Sequence, residues 1–468
     1  MTNQRFKAAL SRRQLMGWAA GGLTAGLLPL AGWADDDEVT SSTGTSTLAL
    51  ANTGITGKRV VVVGGGMAGM TVAKYLRLWG GSGVQVTLVE PDAVYTSSIM
   101  SNLVLNGSRT IGSLQFKRDA LTTKWGVIRK AGSVVAVDDA GHTVKLSDNT
   151  VLGYDRLVLA PGVTFDDAYG LTQADYDTRT PHAWRAGAQT TLLRNQVAAM
   201  ANGDTFVMTI PMAPYRCPPG PYERACVVAD YLKRTKGPNC KVIVLDENSK
   251  IQAEAHTFEL AFSQIHAGVI QYVPGVSNIA IQAGSKLVTY DDKSLSPQVV
   301  QAKVVNPIAP HRATGSAPGG WLAQAGLTNG RWASVDVLSY ESTALPDSGI
   351  HVIGDASSCG LPKAGHVANQ EAKICADAIV RLFFGGQPDP QPVANSACFS
   401  PITASTASWL TAVYQYDAAD GKMKVASNGG KITFNGVTAT PTEAASITSD
   451  NFQDMGTWFK TLMLDTTA

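Results

Sequence analysis

Runs of apolar residues that suit buried strands alternate with helical patterns along most of the chain. Residues 59–63 contain four consecutive valines, which is typical of a strand buried on both faces of a parallel sheet. Residues 67–79 have apolar positions at helical spacing, and 84–89 form a second strand pattern, so this stretch predicts a β-α-β unit. Further strands are predicted at 156–160, 205–210, 241–245, 303–306 and 349–353. The alternation predicts the α/β class with parallel sheets.

The loop after the first predicted strand has the spacing of a dinucleotide-binding site. Residues 64–69 read Gly-Gly-Gly-Met-Ala-Gly and match G-x-G-x-x-G, in which glycines permit a tight turn and close approach to a pyrophosphate. The helix that follows offers free N–H groups to phosphate. Glu90 ends the second strand, where a carboxylate hydrogen-bonds ribose hydroxyls. The expected binding residues here are Gly64, Gly66, Met67, Ala68, Gly69 and Glu90.

Two later segments decide which dinucleotide is bound. Residues 154–162 resemble the crossover segment of flavoproteins with two dinucleotide-binding domains, and 349–356 resemble their second FAD motif, in which a strand-end Asp holds the ribityl chain. This resemblance implies FAD in the first site. It adds to the FAD-binding set Ala160, Pro161, Gly162, Gly354 and Asp355. The strand at 205–210 instead leads into a proline-rich loop, so we expect no nicotinamide cradle there.

That proline-rich loop carries the most distinctive local sequence, Pro-Tyr-Arg-Cys-Pro-Pro-Gly-Pro-Tyr-Glu-Arg at 214–224. Prolines after Cys217 restrict the backbone and would hold the thiol in one place. The neighbours Arg216 and Arg224 suggest a lowered thiol pKa. We therefore treat Cys217 as a candidate nucleophile toward a sulfur donor, with a buried structural cysteine as the alternative.

The chain resembles the flavoprotein subunit of flavocytochrome c sulfide dehydrogenase, a relative of sulfide:quinone oxidoreductases. The segments that carry this resemblance are 61–66, 154–162, 181–184, 214–224, 326–329 and 349–356. The resemblance extends over about residues 58–468. It implies periplasmic oxidation of sulfide, FAD as the first acceptor, a c-type cytochrome partner and two redox cysteines, of which Cys217 matches the first.

The chain departs from the family at two places. Ala333 is expected where the second redox cysteine belongs, and Ser97 follows Tyr95-Thr96 where the family attaches its flavin through a cysteine. A serine cannot form that thioether, so we predict noncovalent FAD. Cys359, in the loop after the second FAD motif, is the expected substitute partner of Cys217, with packing beside the cofactor as the alternative.

Two residues of the same loop region are expected to contact the flavin. Lys363 and His366 lie at the predicted start of a helix, whose N-terminus would stabilise negative charge on the reduced ring. The four other cysteines are interpreted as structural: Cys226, Cys240, Cys375 and Cys398. We find no metal-ligand spacing and no C-x-x-C-H site for haem.

These patterns divide the chain of 468 residues into segments. We expect a twin-arginine signal peptide at 1–34, built on Arg12-Arg13 and a short apolar stretch, which directs the folded protein to the periplasm. A flexible leader follows at 35–57. The FAD domain is predicted at 58–175 and 306–390, interrupted by a middle Rossmann-like domain at 176–305, with a small C-terminal region at 391–468.

The preferred function is an exported FAD-dependent oxidoreductase that oxidises sulfide or another small sulfur compound and reduces a cytochrome subunit or soluble cytochrome c. One alternative is an accessory electron-transfer flavoprotein of sulfur oxidation without sulfide dehydrogenase activity. Another is a quinone-linked enzyme, for which the amphipathic stretch at 454–464 would touch a membrane, although we expect it to cover the core. The net charge of +1 and the lack of a basic patch argue against nucleic acid as a partner.

Overall fold

The computed structural model describes residues 50–426, 432–434, 437–439 and 442–468. The predicted signal peptide and most of the predicted leader lie outside the described residues. Within these ranges, no helix has the length and apolar character needed to cross a membrane.

The helices described include four long ones, of which Gly220–Thr235 is buried along most of its length. In chain order the helices are α1 (Met67–Gly80), α2 (Asn102–Leu105), α3 (Asp119–Thr123), α4 (Gln173–Thr178), α5 (Ala188–Ala198), α6 (Gly220–Thr235), α7 (Ala255–Leu260), α8 (Trp321–Gln324), α9 (Gly365–Phe383) and α10 (Ser449–Thr467). Single turns of 3₁₀ helix lie at Gly81–Gly83, Gly112–Leu114 and Gly354–Ala356, and a π-helical turn at Ala261–Ile265 extends α7.

The strands fall into several small sheets, two of them parallel. The strands up to residue 165 are β1 (Lys58–Val63), β2 (Val84–Val89), β3 (Val94–Thr96), β4 (Gln115–Lys117), β5 (Ile128–Lys130), β6 (Val134–Asp138), β7 (Thr143–Leu146), β8 (Val151–Gly153), β9 (Arg156–Leu159) and β10 (Val163–Phe165). The middle of the chain contributes β11 (Thr205–Ile210), β12 (Lys241–Asp246), β13 (Ile270–Pro274), β14 (Ser277–Gln282), β15 (Leu287–Asp291), β16 (Pro297–Gln301), β17 (Val304–Pro307) and β18 (His311–Ala313). The remainder are β19 (Ile350–Val352), β20 (Val393–Pro401), β21 (Ala407–Asp417), β22 (Lys422–Val425), β23 (Ile432–Phe434), β24 (Val437–Ala439) and β25 (Thr442–Glu443).

The first parallel sheet has five strands in the order β19-β9-β1-β2-β5. All four neighbouring pairs are parallel. The valines of β1 are buried because α1 and α9 cover one face and a second apolar cluster covers the other. Strand β19 comes from a part of the chain that follows the whole middle sheet, so this sheet is assembled from two separate segments.

The middle parallel sheet has four strands in the order β13-β12-β11-β17. Helix α6 packs on one face, and a three-stranded antiparallel sheet, β14-β15-β16, contributes to the core on the other. The short antiparallel pair of β10 and β18 lies where the chain passes between the two sheets and back.

The C-terminal segment returns to the first sheet. Strands β20 and β21 pair over nine residue positions, and β20 packs against α9. Helix α10 buries Met455, Phe459, Leu462 and Met463 in the core formed by α1 and α9. The carboxylate of Asp465 accepts a hydrogen bond from the Tyr75 hydroxyl at 2.6 Å and so ties this helix to α1. The stretch at 454–464 therefore covers the core.

The predicted fold class is confirmed: the protein is α/β with two Rossmann-like units, the first of them interrupted by the second. The observed strands match the predicted ones within one or two residues at each end. The agreement is close because strands buried on both faces leave near-continuous apolar runs in the sequence.

Candidate functional site: two adjoining cavities and a shared thiol

A cavity that we call the glycine-loop cavity lies at the carboxyl ends of the strands of the first sheet. It has a volume of about 290 Å³. Most of the predicted FAD-binding residues line it: Gly64, Gly66, Met67, Ala68, Glu90, Ala160, Pro161, Gly162, Gly354 and Asp355. Ligands of open α/β sheets bind at this edge, because the loops after the strands diverge there.

The glycine loop leaves little space for side chains on its sheet side. A Cβ on Gly64, which has φ +97°, would lie 2.2 Å from the Ala160 carbonyl oxygen. A Cβ on Gly69 would lie 1.7 Å from the Gly64 carbonyl oxygen, so Gly69 allows α1 to pack against the loop rather than lining the cavity. By contrast, a Cβ on Gly66 would meet no atom within 4 Å, because this residue faces open space. The backbone at Gly66 is therefore accessible to a pyrophosphate.

A carboxylate and a buried guanidinium brace the other side of the loop. The Gly65 amide donates to Glu90 at 2.5 Å. Arg118 is 2% exposed, and its Nε and Nη2 donate to the Gly65 carbonyl at 3.0 and 2.7 Å. Its Nη1 donates to the Asp92 carbonyl at 2.6 Å. Arg118 was not predicted as a site residue, since nothing in its local sequence marks it as a partner of a loop 53 residues earlier.

Cys217 lies where the glycine-loop cavity meets a second, smaller cavity, and it lines both. Its backbone N–H donates to the Lys363 carbonyl at 2.7 Å. The preceding residue is held from both sides: the Arg216 N–H donates to His311 Nε2 at 2.7 Å, and its carbonyl accepts from Trp184 Nε1 at 2.9 Å. Cys217 itself has φ +59°, an uncommon conformation for a non-glycine residue. The loop is therefore fixed by contacts with three separate segments.

The surroundings of Cys217 do not favour the acidity expected from the sequence. Burial raises the pKa of its thiol to about 12, and nearby Glu223 acts in the same direction while Arg216 opposes it. Arg224 does not offset burial, because its guanidinium donates to Asn102, Asn306 and the carbonyls of His182 and Ala183 instead. The sequence prediction of a lowered pKa was wrong because burial, reinforced by Glu223, outweighs the opposing charge of Arg216.

The second cavity, which we call the two-cysteine cavity, has a volume of about 80 Å³. Cys217 and Cys398 both line it, together with Glu223, His366 and Trp458. Cys398 lies on β20, in the C-terminal segment that folds back over the first sheet. Burial raises the pKa of the Cys398 thiol well above its ordinary value, and Cys217 contributes to that rise. The structure thus places a second thiol in the cavity that Cys217 lines.

Cys359, the expected partner of Cys217, faces a different part of the interior. Its thiol donates to Glu371 Oε1 at 3.1 Å, and it contributes to neither cavity. Ala333 is fully buried, and its backbone hydrogen-bonds Ala356 and Ser358 behind the same loop. Cys398 was interpreted as structural from the sequence, because no local pattern shows that β20 returns to the Cys217 loop.

The two residues expected at the start of α9 occupy different positions. The N-terminus of α9 faces the glycine-loop cavity through Ala364 and Gly365. His366 lines the two-cysteine cavity, where its Nδ1 accepts from the Ala397 N–H at 3.0 Å. Burial lowers the His366 pKa, so the ring is a neutral group there. Lys363 Nζ donates to the carbonyls of Asp355 and Ser357 at 3.0 and 2.6 Å and lines neither cavity.

The corresponding edge of the middle sheet is filled by the chain's own side chains. Asp246 ends β12 and is fully buried. Its carboxylate accepts hydrogen bonds from the hydroxyls of Tyr222 and Tyr272 at 2.8 and 2.9 Å and from Asn248 Nδ2 at 2.8 Å. A carboxylate in this position would bind a ribose in a dinucleotide site. Here the Asn248 backbone N–H at 2.9 Å is a fourth donor, so both carboxylate oxygens are already paired, and α6 begins ten residues after β11 ends.

Comparison with known proteins gives two family matches. Residues 190–309 match the central region of the flavoprotein chain of sulfide dehydrogenase [flavocytochrome c]. Residues 58–191 match the pyridine nucleotide-disulphide oxidoreductase family. The chain is also similar to the sulfide dehydrogenase [flavocytochrome c] flavoprotein chain of Chlorobaculum thiosulfatiphilum, with 53% identity over 47 residues, 10% of this chain and 96% of that sequence. It is 36% identical over 107 residues to the probable ferredoxin reductase CtmF of Castellaniella defragrans, which covers 22% of this chain and 26% of that relative.

Solved structures share the fold at low sequence identity. The sulfide:quinone oxidoreductase of Aquifex aeolicus has a TM-score of 0.68 and 17% identity, covering 88% of this chain and 91% of that one. The putidaredoxin reductase–putidaredoxin complex gives a TM-score of 0.57 at 18% identity, covering 76% of this chain and 82% of that one. The NAD-dependent persulfide reductase of A. fulgidus gives 0.55 at 16% identity, covering 76% and 63%.

The interrupted first sheet, the open backbone at Gly66 and the strand-end Glu90 and Asp355 fit an FAD molecule. The fold and this cavity define a flavoprotein of the pyridine nucleotide-disulphide oxidoreductase class. Within that class the chain belongs to the family of sulfide:quinone oxidoreductases and flavocytochrome c sulfide dehydrogenases, which are FAD-dependent sulfur oxidoreductases.

Proposed function

We propose that this chain oxidises sulfide, or another small reduced sulfur compound, at Cys217 and Cys398 and passes the electrons through FAD to a c-type cytochrome. The observation that carries the proposal is the position of the two thiols: both line the two-cysteine cavity, and Cys217 also lines the cavity that fits FAD. Cys398 replaces Cys359 as the partner that we assign to Cys217.

Thiol–disulfide exchange accounts for the chemistry with balanced electrons. When Cys217 and Cys398 form a disulfide, hydrosulfide attacks one sulfur atom, so a new S–S bond forms as the old one breaks. The products are a persulfide on one cysteine and a thiolate on the other. Joining this thiolate to the outer sulfur of the persulfide anion gives a trisulfide and releases two electrons. Bound FAD supplies the two-electron acceptor, and flavins can also release electrons singly.

Glu223 is suited to exchange protons with the sulfur species in the same cavity. It lines the two-cysteine cavity and is 8% exposed. Burial raises the pKa of its carboxyl to about 8, although a hydrogen bond from Asn102 Nδ2 at 2.8 Å opposes the shift. A group that holds its proton near neutral pH can donate to, or accept from, hydrosulfide and the thiols.

The test is anaerobic reduction of the purified FAD-loaded chain by sulfide, followed at the flavin absorbance. We expect the wild type to bleach, and Cys217→Ala and Cys398→Ala to bleach at least about 1,000-fold more slowly, as expected when a covalent nucleophile is lost. Cys240→Ala is the matched control, since it removes a buried thiol outside both cavities and away from the FAD motif, and it should bleach at nearly the wild-type rate. Bleaching that depends on Cys359 and not on Cys398 would overturn the thiol assignment. A wild type that fails to bleach would favour the accessory flavoprotein without sulfide dehydrogenase activity.

The cytochrome acceptor and the periplasmic location are part of the proposal. They are supported by the Arg12-Arg13 export motif and by the name of the related sulfide dehydrogenase [flavocytochrome c] flavoprotein chain. We expect the reduced chain to reduce a c-type cytochrome faster than a soluble quinone analogue. The reverse order, with partition of the mature protein into lipid, would support the quinone-linked alternative.

We also propose that FAD is bound without a covalent bond to the protein. Ser97 is fully buried, and its hydroxyl donates to the Ile99 carbonyl at 3.4 Å, close to Tyr95 and Thr96, which line the glycine-loop cavity. A hydroxyl in this position cannot form a thioether. Acid precipitation of the protein should release the flavin into the supernatant, whereas flavin retained in the pellet would contradict the proposal.

A further inference from the structure

A buried carboxyl lies behind the wall of the glycine-loop cavity and has no place in the thiol chemistry. Glu371, on α9, is 3% exposed. Its Oε2 accepts from the Gly354 N–H at 2.5 Å, and its Oε1 accepts from the Cys359 thiol at 3.1 Å. The Ser357 hydroxyl lies 3.5 Å from Oε2. All three neighbours are donors, so these hydrogen bonds favour the ionised form of the carboxyl.

One short turn connects the Glu371 carboxyl with the glycine-loop cavity. Gly354 has φ +71° and, with Asp355, lines the cavity from the turn that Glu371 braces. Asp355 lies 3.9 Å from Arg216, next to Cys217 in the chain, so the turn borders the end of the cavity where electrons from the thiols would arrive. The carboxyl of Glu371 is thus separated from that end of the cavity by a single layer of backbone.

The charges around Glu371 are few. The titratable groups that face it are Cys359, Lys363, Asp355, Tyr340 and Cys375. Among these, Lys363 is the positive group, and its Nζ lies 3.8 Å from the centre of the Trp332 ring while donating to two backbone carbonyls. Burial raises the pKa of Glu371 to about 7, and the hydrogen bonds from Cys359 and Gly354 and the charge of Lys363 oppose the shift.

We propose that Glu371 sets the reduction potential of bound FAD, acting as a charged positioning residue behind the Gly354–Asp355 turn. The negative carboxylate opposes the negative charge that the flavin gains on reduction, because buried charges interact over short distances with little screening. Cys359 serves this site by donating a hydrogen bond to the carboxylate. The inference rests on FAD binding in the glycine-loop cavity and not on sulfide oxidation or on the acceptor.

The expected effect has a sign and a pH dependence. Above about pH 7 the wild-type carboxyl is ionised, so Glu371→Gln, which removes the charge and keeps the shape, should favour reduced FAD over oxidised FAD. We expect the ratio of the dissociation constants of oxidised and reduced FAD to rise about tenfold at pH 8.5, the size of one pKa unit of charge interaction. At pH 5.5 the wild-type carboxyl is mostly protonated, and the two proteins should have nearly the same potential.

The measurement is a potentiometric titration of the purified holoprotein, without sulfide or cytochrome, at pH 5.5 and 8.5. Glu341→Gln is the matched control, because Glu341 Oε1 accepts from the Gly349 N–H at 2.8 Å at the opposite end of β19. It braces the same strand away from the cavity and should leave the potential unchanged. FAD content and circular dichroism establish that each variant is folded and loaded.

Two results would overturn the proposal: an unchanged potential in Glu371→Gln at pH 8.5, or a shift of equal size at both pH values, which would indicate altered geometry rather than charge. Cys359→Ala supplies an independent measurement if Glu371→Gln does not fold. That variant keeps the Glu371 carboxyl but removes one hydrogen-bond donor to it, which raises the carboxyl pKa. The pH at which the FAD reduction potential changes its slope should therefore move upward. Failure of sulfide to bleach the flavin would leave these results unaffected, so the two proposals can fail separately.

Discussion

The two parallel sheets of this protein end in different ways at the edge where α/β proteins bind ligands. The first sheet ends at an open loop, where the backbone at Gly66 faces a cavity and Glu90 is positioned by a backbone N–H. The middle sheet ends at Asp246, a carboxylate already occupied by two tyrosine hydroxyls and an amide. The strand and helix arrangement is similar in both, so the sheet alone does not decide what binds.

The difference lies in the loops that follow the strands. After β1, three glycines turn the chain directly into α1, which places the helix N-terminus at the cavity. After β11, the proline-rich loop intervenes and α6 begins ten residues after the strand ends. Cys217 lies in this loop. The middle unit thus uses this stretch for the Cys217 loop, where the first unit has its glycine loop.

The largest expected effect comes from closing the first site. Gly64→Ala would place a Cβ 2.2 Å from the Ala160 carbonyl oxygen in a residue with φ +97°. The strain should weaken FAD binding about 100-fold, equivalent to about 3 kcal/mol. Flavin content after purification and a fluorescence titration with FAD measure the change. Met212→Ala, in the exposed loop after β11, is the control and should bind FAD like the wild type.

A smaller effect, on stability, is expected from removing the Asp246 carboxylate that fills the edge of the middle sheet. Asp246→Ala would leave two buried tyrosine hydroxyls without their acceptor and should lower the free energy of unfolding by about 2 kcal/mol. Urea denaturation measures this loss. Tyr272→Phe removes one hydroxyl and leaves the Tyr222 contact, so it should cost about 1 kcal/mol. If Asp246→Ala and Tyr272→Phe lowered the free energy of unfolding by the same small amount, the hydrogen bonds to the Asp246 carboxylate would not be what fills this edge of the sheet.

The smallest expected effect appears only when pH is varied. Glu254, beside the middle sheet, is 2% exposed, and one of its carboxyl oxygens has no hydrogen-bond partner among the described residues. Burial raises its pKa to about 8. The unfolded chain ionises this carboxyl near pH 4.5, so its contribution to stability is present below that pH and is lost as pH rises toward 8.

Glu254→Gln keeps an acceptor for the Ser400 hydroxyl and removes the ionisation. Its unfolding free energy should exceed that of the wild type by about 1–2 kcal/mol at pH 8.5 and by little at pH 4.5. Denaturation at both pH values tests this difference. Glu259→Gln, which changes an exposed carboxyl on α7, the helix that Glu254 precedes, should give the same small difference in unfolding free energy at both pH values. A Glu254→Gln profile parallel to the wild type would contradict the buried, neutral carboxyl.

The sequence by itself determined the fold class, the glycine loop and the second FAD motif. Each depends on residues close together in the chain: the valines of β1 require burial on both faces, and the spacing of Gly64, Gly66 and Gly69 follows from one strand–helix turn. Cys217 was also identified locally, through the prolines that follow it.

Only the tertiary structure decided which second thiol lines a cavity with Cys217 and how acidic the Cys217 thiol is. Cys398 comes from β20, 181 residues later, and reaches the cavity because the C-terminal segment folds back over the first sheet. Cys359, although close to the FAD motif in sequence, turns toward Glu371. Arg224 adjoins the Cys217 loop in sequence, yet its hydrogen bonds lie elsewhere, so burial controls the thiol pKa. Contacts and burial depend on the path of the whole chain, whereas motif spacing depends on one turn of it.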